Sequence, residues 1–388
     1  MPDEGHPIQV QLLSSIHEVD AAHWNACAGV HDPFVSHGFL SALEDSGSAV
    51  AESGWAAQHL AIRGADGALD ACAPLYMKNH SYGEYVFDWG WADAFERAGG
   101  RYYPKLQCAV PFTPATGPRL LVRDDGAEGL QAALLQAMIE RAESVGISSV
   151  HMTFPLRAEW ELAAKRGFLA RIGSQYHWTN QGYRTFDDFL GTLVSRKRKM
   201  LRKERQAVSK QGVTLKRLVG SDIQERHWDA FYRFYLDTTD RKWGSAYLTR
   251  DFFSLLGERL TDRVLLVVAE PEGGGDVLAG ALNLIGSETL YGRNWGCKQE
   301  FKFLHFEACY YQAIDHAIET GLTRVEAGAQ GQHKVQRGYL PEKTYSAHWI
   351  SHPGLRGAVA DFVERETLAV EREMQALMQF SPYRQEGQ

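Results

Sequence analysis

The sequence predicts an α+β protein built from a duplicated domain, and three observations carry that prediction. The segment QHLAIRGADGALDACAPLYMKNHSYGEYVFDWGWAD (58–93) and the later RVLLVVAEPEGGGDVLAGALNLIGSETLYGRNWGCKQ (263–299) share one plan. Each reads as an apolar strand, a Gly/Asp turn, a small-residue strand, a polar turn and an aromatic strand. Each is then followed by an apolar-faced helix and a further strand, so the order β-β-β-α-β occurs twice. A chain of 388 residues also exceeds what one hydrophobic core usually serves.

The elements follow in order. The turns ADG and EGGGD tolerate positive φ and close hairpins. YVFDWGWAD is read as the aromatic strand of the first half, matching LYGRNWGCK in the second. The helix GLQAALLQAMIERAESVG (129–146) ends on Gly146 and leads into SSVHMTF, while HFEACYYQAIDHAIETG (305–321) ends on Gly321 and leads into TRVEAG. Both glycines suit a left-handed C-cap. Phe306, Tyr310, Ala313, Ile314 and Ala317 recur at helical spacing, which presses one face on a sheet.

Between the halves, TFDDFLGTLVSRKRKMLRKERQAVSKQG (185–212) reads as one basic helix, started by Thr185 and stopped by Gly212. Leu190, Val194, Leu201 and Val208 form its apolar stripe, yet Lys197 and Glu204 lie on the same stripe. A lysine there needs a partner. The amphipathic segment 358–380 is expected to close the second domain. The division is then an N-terminal domain (1–184), a connecting helix (185–212) and a C-terminal domain (213–388).

Composition limits the function classes. With 44% apolar and 23% charged residues of mixed sign, the chain is globular rather than disordered or fibrous. A net charge of -7 confines any polyanion site to a local patch. The acidic start carries no apolar run of signal length and no segment is long and apolar enough to span a bilayer, so a cytoplasmic protein is expected. The five cysteines lack CxxC spacing and are expected to be reduced, with no metal bound.

PFVSHGFLSALEDSG (33–47), SYGEYVFDWGWADAFERAGGRYYPKLQCAVPFTPATGPRLL (81–121), FLHFEACYYQAIDHAI (303–318) and GAQGQHKVQRGYLP (328–341) together resemble the FemAB-like branch of the GNAT N-acyltransferases. The branch is described by peptidoglycan biosynthesis or recognition, and the resemblance covers nearly the whole chain. It implies tandem GNAT-like (acyl-CoA N-acyltransferase) domains, each a mixed β-sheet flanked by helices. It also implies transfer of an aminoacyl group from aminoacyl-tRNA, or of an acyl group from acyl-CoA, to a primary amine on a peptide or peptidoglycan precursor. Neither donor is a tightly bound cofactor. A catalytically silent recognition protein is the third reading.

The two donors make different demands. Coenzyme A in a GNAT domain is held by a glycine-rich loop whose N–H groups cradle the pyrophosphate. CKQEFKFLHFE (297–307), at the corresponding place of the second half, has no glycine, and the prolines of residues 105–121 remove N–H donors. Lys298, Lys302 and His305 leave a side-chain route open. The missing loop suits the Fem-type donor better.

The resemblance places Lys334 beside the reacting ester, where it would stabilise developing negative charge; this chain has HK where Fem proteins more often have FK. His333 and His305 are candidate proton acceptors, and Arg337, the third cation of the loop, is a candidate substrate ligand. The competing reading is a surface loop with incidental charges. For Glu307, a role at the start of its helix is expected. Glu84 and Asp88, with Trp91 beside them, could hold the acceptor amine, although tryptophans here serve equally as core. Arg293 and Asn294 interrupt an otherwise apolar strand, as an anion clamp or as a salt bridge to Glu326. Seven cations within residues 196–205 nominate Lys197, Arg198 and Arg202 for a polyanion such as tRNA, against the alternative of a solvated helix.

Overall fold

The computed structural model describes residues 8–123, 128–242 and 246–384. They form two compact units, one of residues up to Gly173 together with Thr344–Ala369, the other of Ser174–Lys343 together with Val370 onward. Strands are numbered along the chain.

The first unit contains β1 (Val10–Leu13), β2 (Trp55–Ala57), β3 (His59–Arg63), β4 (Leu69–Ala73), β5 (Leu75–Lys78), β6 (Lys105–Cys108), β7 (Leu121–Val122) and β8 (Ser149–Thr153). Four of them make a small antiparallel sheet in the order β1-β3-β4-β7. In the other sheet β2, β5 and β6 pair antiparallel and β6 runs parallel to β8. Leu75, Leu106, Cys108, Val150 and Met152 face the helix Glu128–Ser144, whose Leu134, Leu135 and Met138 complete the core. That helix stops as expected: Gly146 takes φ 65 and the following Ile147 N–H reaches back to the Ala142 carbonyl.

The second unit contains β9 (Leu169–Thr179), of which residues 177–179 pair here, then β10 (Val213–Val219), β11 (Val264–Pro271), β12 (Ala279–Ile285), β13 (Thr289–Cys297) and β14 (Arg324–Glu326). β10 to β13 form an antiparallel meander, β13 runs parallel to β14, and β14 pairs antiparallel with β9. Tyr310, Ala313, Ile314 and Ala317 are buried on this sheet, as their spacing predicts.

The duplication is therefore real: each unit has antiparallel strands, one parallel step and a closing antiparallel strand. In the first unit the closing strand is β15 (Leu340–Ile350), whose Ser346–Ile350 pair with β8. That pairing is why residues 344–369 pack with the first unit. The long helix Pro353–Met378 divides likewise. Leu355, Val359 and Val363 pack with Trp91 and Tyr102, whereas Leu377 joins the core of the second unit.

Two expectations are corrected. YVFDWGWAD is no strand: residues 79–88 form a loop and Trp89–Arg97 a helix, with Trp91, Ala92 and Phe95 on its apolar face. The third strand of the first half is KLQC, and the acidic side chains upstream turn inward to its lysine. The basic segment is also two helices, Phe186–Thr192 and Ser195–Ser209. Leu193 and Val194 are extended between them because Leu193 bridges to Tyr383 and the Val194 N–H donates to the Pro382 carbonyl.

Packing is close where the helix Glu225–Lys242 crosses β13. A Cβ on Gly296 would lie 2.6 Å from the Phe234 carbonyl oxygen and 2.5 Å from its Cβ. Gly296→Ala is expected to destabilise the chain by about 1–3 kcal/mol, since overpacking must move backbone. Urea unfolding checks this, with Gly191→Ala as the control at a site where nothing lies within 4 Å.

Candidate functional site

In the second unit the chain leaves β14 through Ala327 and Gly328 and tightens into a 3-10 helix, Gln332–Arg337. Gly331 and Gly338, both at positive φ, bracket it. Gly338 has a second reason to be glycine: a Cβ there would stand 2.8 Å from the Phe189 ring. The three cations of this loop have different fates.

Arg337 is buried and fully committed. Its guanidinium donates to Glu204 at 2.7 and 3.2 Å, to Tyr311 Oη at 3.1 Å and to the His333 carbonyl at 2.9 Å. It also lies over the Phe306 ring, 3.5 Å from the centroid. Tyr311 donates to the same Glu204 carboxylate. Arg337 is thus a clamp between the loop, the basic helix and the next helix, with all three guanidinium nitrogens engaged.

Lys334 is buried too, at 5% exposure, yet has no carboxylate. Among the described residues its Nζ donates only to the Ala327 and Gly328 carbonyls, near the Tyr176 ring. Burial pushes its ammonium down to about 8. A surface loop with incidental charges is excluded.

His333 is half-buried, with Nε2 3.1 Å from Tyr310 Oη. Burial, then the charges of Arg337 and Lys334, push the imidazole below its ordinary value. At neutral pH it is therefore uncharged. His305 packs against Tyr310 (5.3 Å between centroids) and lies 6.4 Å from His333. The structure thus brings His305, His333 and Tyr310 together beside the loop that bears Lys334.

The helix under this cluster is irregular. Between Leu304–Phe306 and Gln312–Thr320 the segment Glu307–Tyr311 is a π turn, a distortion that recurs at functional sites. It places the consecutive Tyr310 and Tyr311 on His333 and Glu204 respectively. Glu307 does not serve its own helix start. It is buried and accepts from Arg205 at 2.9 Å and from Gln312 at 2.8 Å. Arg205 also binds Asp315 at 2.6 Å.

The basic helix has two faces. Leu201, Glu204 and Val208 are buried, which explains the acid on the apolar stripe. Lys197, the other anomaly, reaches Gln336 Oε1 of the loop at 3.0 Å, and burial, then Arg196 and Arg337, lower its ammonium. Arg202 is exposed and paired with Asp187 at 2.8 Å. Arg198 is half-buried and makes no hydrogen bond or ion pair among the described residues. Arg293 and Asn294 are half-buried on β13, where its register with β12 shifts by one residue between Gly292 and Trp295. Such a bulge re-aims side chains.

The remaining candidates lie in the first unit. Glu84 and Asp88 are both buried and both bind Lys105, Glu84 at 2.7 Å. Asp88 also accepts from Tyr102 Oη at 2.7 Å. Trp91 is core rather than platform: it is buried edge-on to His348, 4.9 Å between centroids. Sequence reasoning missed Lys105, Tyr310 and Tyr311. For Lys105 the only signal was a lysine in an otherwise strand-like KLQC.

If Arg337 is a clamp, removing it strands a buried carboxylate. Arg337→Met is expected to cost about 3–5 kcal/mol, and the double variant Arg337→Met/Glu204→Leu to recover most of that loss. Chemical denaturation of the three proteins checks it; a substrate-binding arginine would leave stability unchanged.

Residues 15–385 match a family model described as FemAB-like, peptidoglycan biosynthesis/recognition. Among curated protein sequences none matches. The fold is shared with the crystal structure of FemX at a TM-score of 0.55 and 13% identity, covering 91% of this chain and 100% of that one. It is also shared with L-PGS from Bacillus licheniformis, at 0.51 and 13%, covering 87% and 98%. The architecture is α+β, with two units that each carry strands of mixed direction flanked by helices. The match over nearly the full length places this chain in the FemAB-like family.

Proposed function

We propose that the protein is an N-acyltransferase of the Fem type, moving an aminoacyl group from aminoacyl-tRNA to the primary amine of a peptide or peptidoglycan-like acceptor. The observation that carries this reading is Lys334, a buried ammonium without a counterion among the described residues. A cation kept out of water is costly in the resting protein and is worth most where negative charge develops. Ester aminolysis develops such charge on the carbonyl oxygen. The amine nitrogen bonds to the carbonyl carbon, the bond to the ribose oxygen breaks, and the amine gives up a proton. The neutral His333, hydrogen-bonded to Tyr310, is the acceptor for that proton, and the departing ribose oxygen takes one in exchange.

Acyl-CoA is the weaker donor. In the segment where a GNAT domain would cradle pyrophosphate, the N–H groups of Lys298, Lys302, Leu304 and Glu307 are already bonded to Leu278, Gln211, Phe301 and Phe303. Those four donors are withdrawn from a phosphate, and no glycine turn gathers the others. Among the described residues Arg198 makes no ion pair and Arg202 is held by one exposed acid, which leaves both available to the tRNA backbone.

Lys334→Met is expected to lower kcat about 100- to 1000-fold without lowering stability at pH 7. The sign follows from linkage: the folded-state value of about 8 lies below the ordinary 10.5, so the unfolded chain binds the proton more tightly. Stability then rises between those two values, and below them the buried charge is a cost that the methionine removes. Since the ammonium is the active form, wild-type activity should fall as pH rises through about 8. Lys334→Arg should move that limb upward if it retains activity. A profile without the limb would remove Lys334 from the mechanism.

Arg198→Ala combined with Arg202→Ala is expected to weaken tRNA binding and to lower the slope of log K against log salt by about 1–2. Filter retention of labelled tRNA at several salt concentrations reads it. An unchanged slope would assign this helix to plain solvation.

A further inference from the structure

In the first unit, β5, β6 and β8 alternate cleanly. Leu75, Met77, Leu106, Val150 and Met152 enter the hydrophobic core, so Lys78, Lys105, Gln107, Ser149 and His151 point to the opposite face. Such a face ordinarily meets water. Here every one of those five residues is buried, because the segment 79–104 folds over them and anchors Ser81, Glu84 and Asp88 on Lys105.

The covered face is imperfectly paired. Lys105 holds one oxygen of each carboxylate, but Glu84 Oε1 and Asp88 Oδ1 are buried with no hydrogen-bond partner. Both therefore ask for an N–H donor. Lys78 stands opposite Lys105 in the register and opposite Trp55 on its other side. Its ammonium contacts His80 Nδ1 at 3.4 Å and the Tyr82 carbonyl at 3.1 Å and lies 3.6 Å from the Trp55 ring centre. Two acceptors leave one of its three N–H bonds over, and no carboxylate pairs with it among the described residues. Trp55 Nε1 likewise has no acceptor. Burial pushes Lys78, which has no acid beside it, down to about 7, and pushes Glu84 up to about 7 against the pull of Lys105. Lys78 and Lys105 are directly opposed, roughly 5 Å apart, and the two acids sit on Lys105, so the unmet acceptors lie on the strand next to the unmet donor of Lys78.

We propose that the first unit binds a small zwitterion, an amino acid or the free end of a short peptide, with its ammonium on Glu84 and Asp88 and its carboxylate on Lys78 and Trp55. The unmet groups divide into two acidic acceptors and two donors, one of them cationic; an amine alone or a carboxylate alone would satisfy one half. The segment 79–104 is the cover that such a ligand must displace to enter. Glu84 and Asp88 are the acids the sequence nominated for the acceptor amine, but the site shares no residue with Lys334, His333 or Tyr310, so it can be tested apart from the transfer step.

The test is calorimetric titration of the full chain with glycine, L-alanine, D-alanine and L-lysine, alongside ethylamine and propionate as one-charge controls. Saturable binding of at least one amino acid is expected, with neither control binding at the same concentration. Glu84→Gln and Lys78→Met should each weaken it at least tenfold. If Glu84→Gln fails to fold, Lys78→Met carries the test, because methionine keeps the stem over Trp55. Lys334→Met should bind as the wild type does, which separates this site from the transferase site. No binding by any of the four amino acids, equal binding of ethylamine or propionate, or binding untouched by Lys78→Met would overturn the proposal and leave the cluster to water.

Discussion

Burying a charge without a partner is among the most expensive arrangements a folded chain can hold, and the second unit is organised around one. Lys334 would escape to solvent or lose its proton unless its backbone were held, and what holds it is the ion pair of Arg337 with Glu204. The clamp spans 133 residues of sequence and involves the loop, the basic helix and, through Tyr311, the π turn. Each neighbouring feature follows from it. Gly331 and Gly338 allow the tight turn, Glu204 sits on an apolar stripe because its partner is inside, and the π turn directs two consecutive tyrosines to the two cation-bearing sides of the site. The clamp is structural so that the lysine can be functional.

The buried lysines of the first unit sharpen the contrast. Lys105 is wholly enclosed, and although burial alone would lower it, Glu84 and Asp88 hold its ammonium above the ordinary value. Burial alone would raise Asp88, but Lys105 and then His151 keep it ionised. Beside this centre, Lys78 resembles Lys334: a buried cation with a carbonyl contact and, among the described residues, no acid. On the other side of Asp88, His151 and His348 meet at 2.7 Å through their Nδ1 atoms, and burial pushes both below their ordinary values. Two neutral rings bonded in that way must carry opposite tautomers, one donating and one accepting. Both units thus enclose ionisable groups away from water, and each holds a lysine that no acid answers among the described residues.

Much of this was legible in the sequence, and what was not has a common cause. Strand–turn–strand alternation and glycine caps are local signals, so the duplicated α+β plan and the ends of the two long helices could be read directly. The loop that bears Lys334 and His333 was legible because a glycine-rich turn beside a strand end is also local, while the role given to Lys334 came from the family resemblance. The segment around Asp88 was misread because its alternating aromatic and acidic residues imitate a strand; nothing nearby reveals that Glu84 and Asp88 turn inward to Lys105, 21 and 17 residues away. Arg337 was read as a substrate ligand because Glu204 lies too far along the chain to be recognised as its partner. The oddity of Glu204 on an apolar stripe was visible, but only the fold says which cation answers it. The exchange of β15 into the first unit's sheet was hidden for the same reason: a strand's sequence does not name its neighbour.

The most direct test of this account is the titration of Lys334 itself, followed by the Cε chemical shift in selectively labelled protein and assigned by its loss in Lys334→Met. A buried ammonium without a counterion should titrate near 8, with an added anionic analogue of the tetrahedral intermediate moving the midpoint upward. A midpoint at the ordinary value near 10.5, unmoved by the analogue, would mean that Lys334 is solvated or already paired, and the charge at the centre of the proposed site would be an ordinary one.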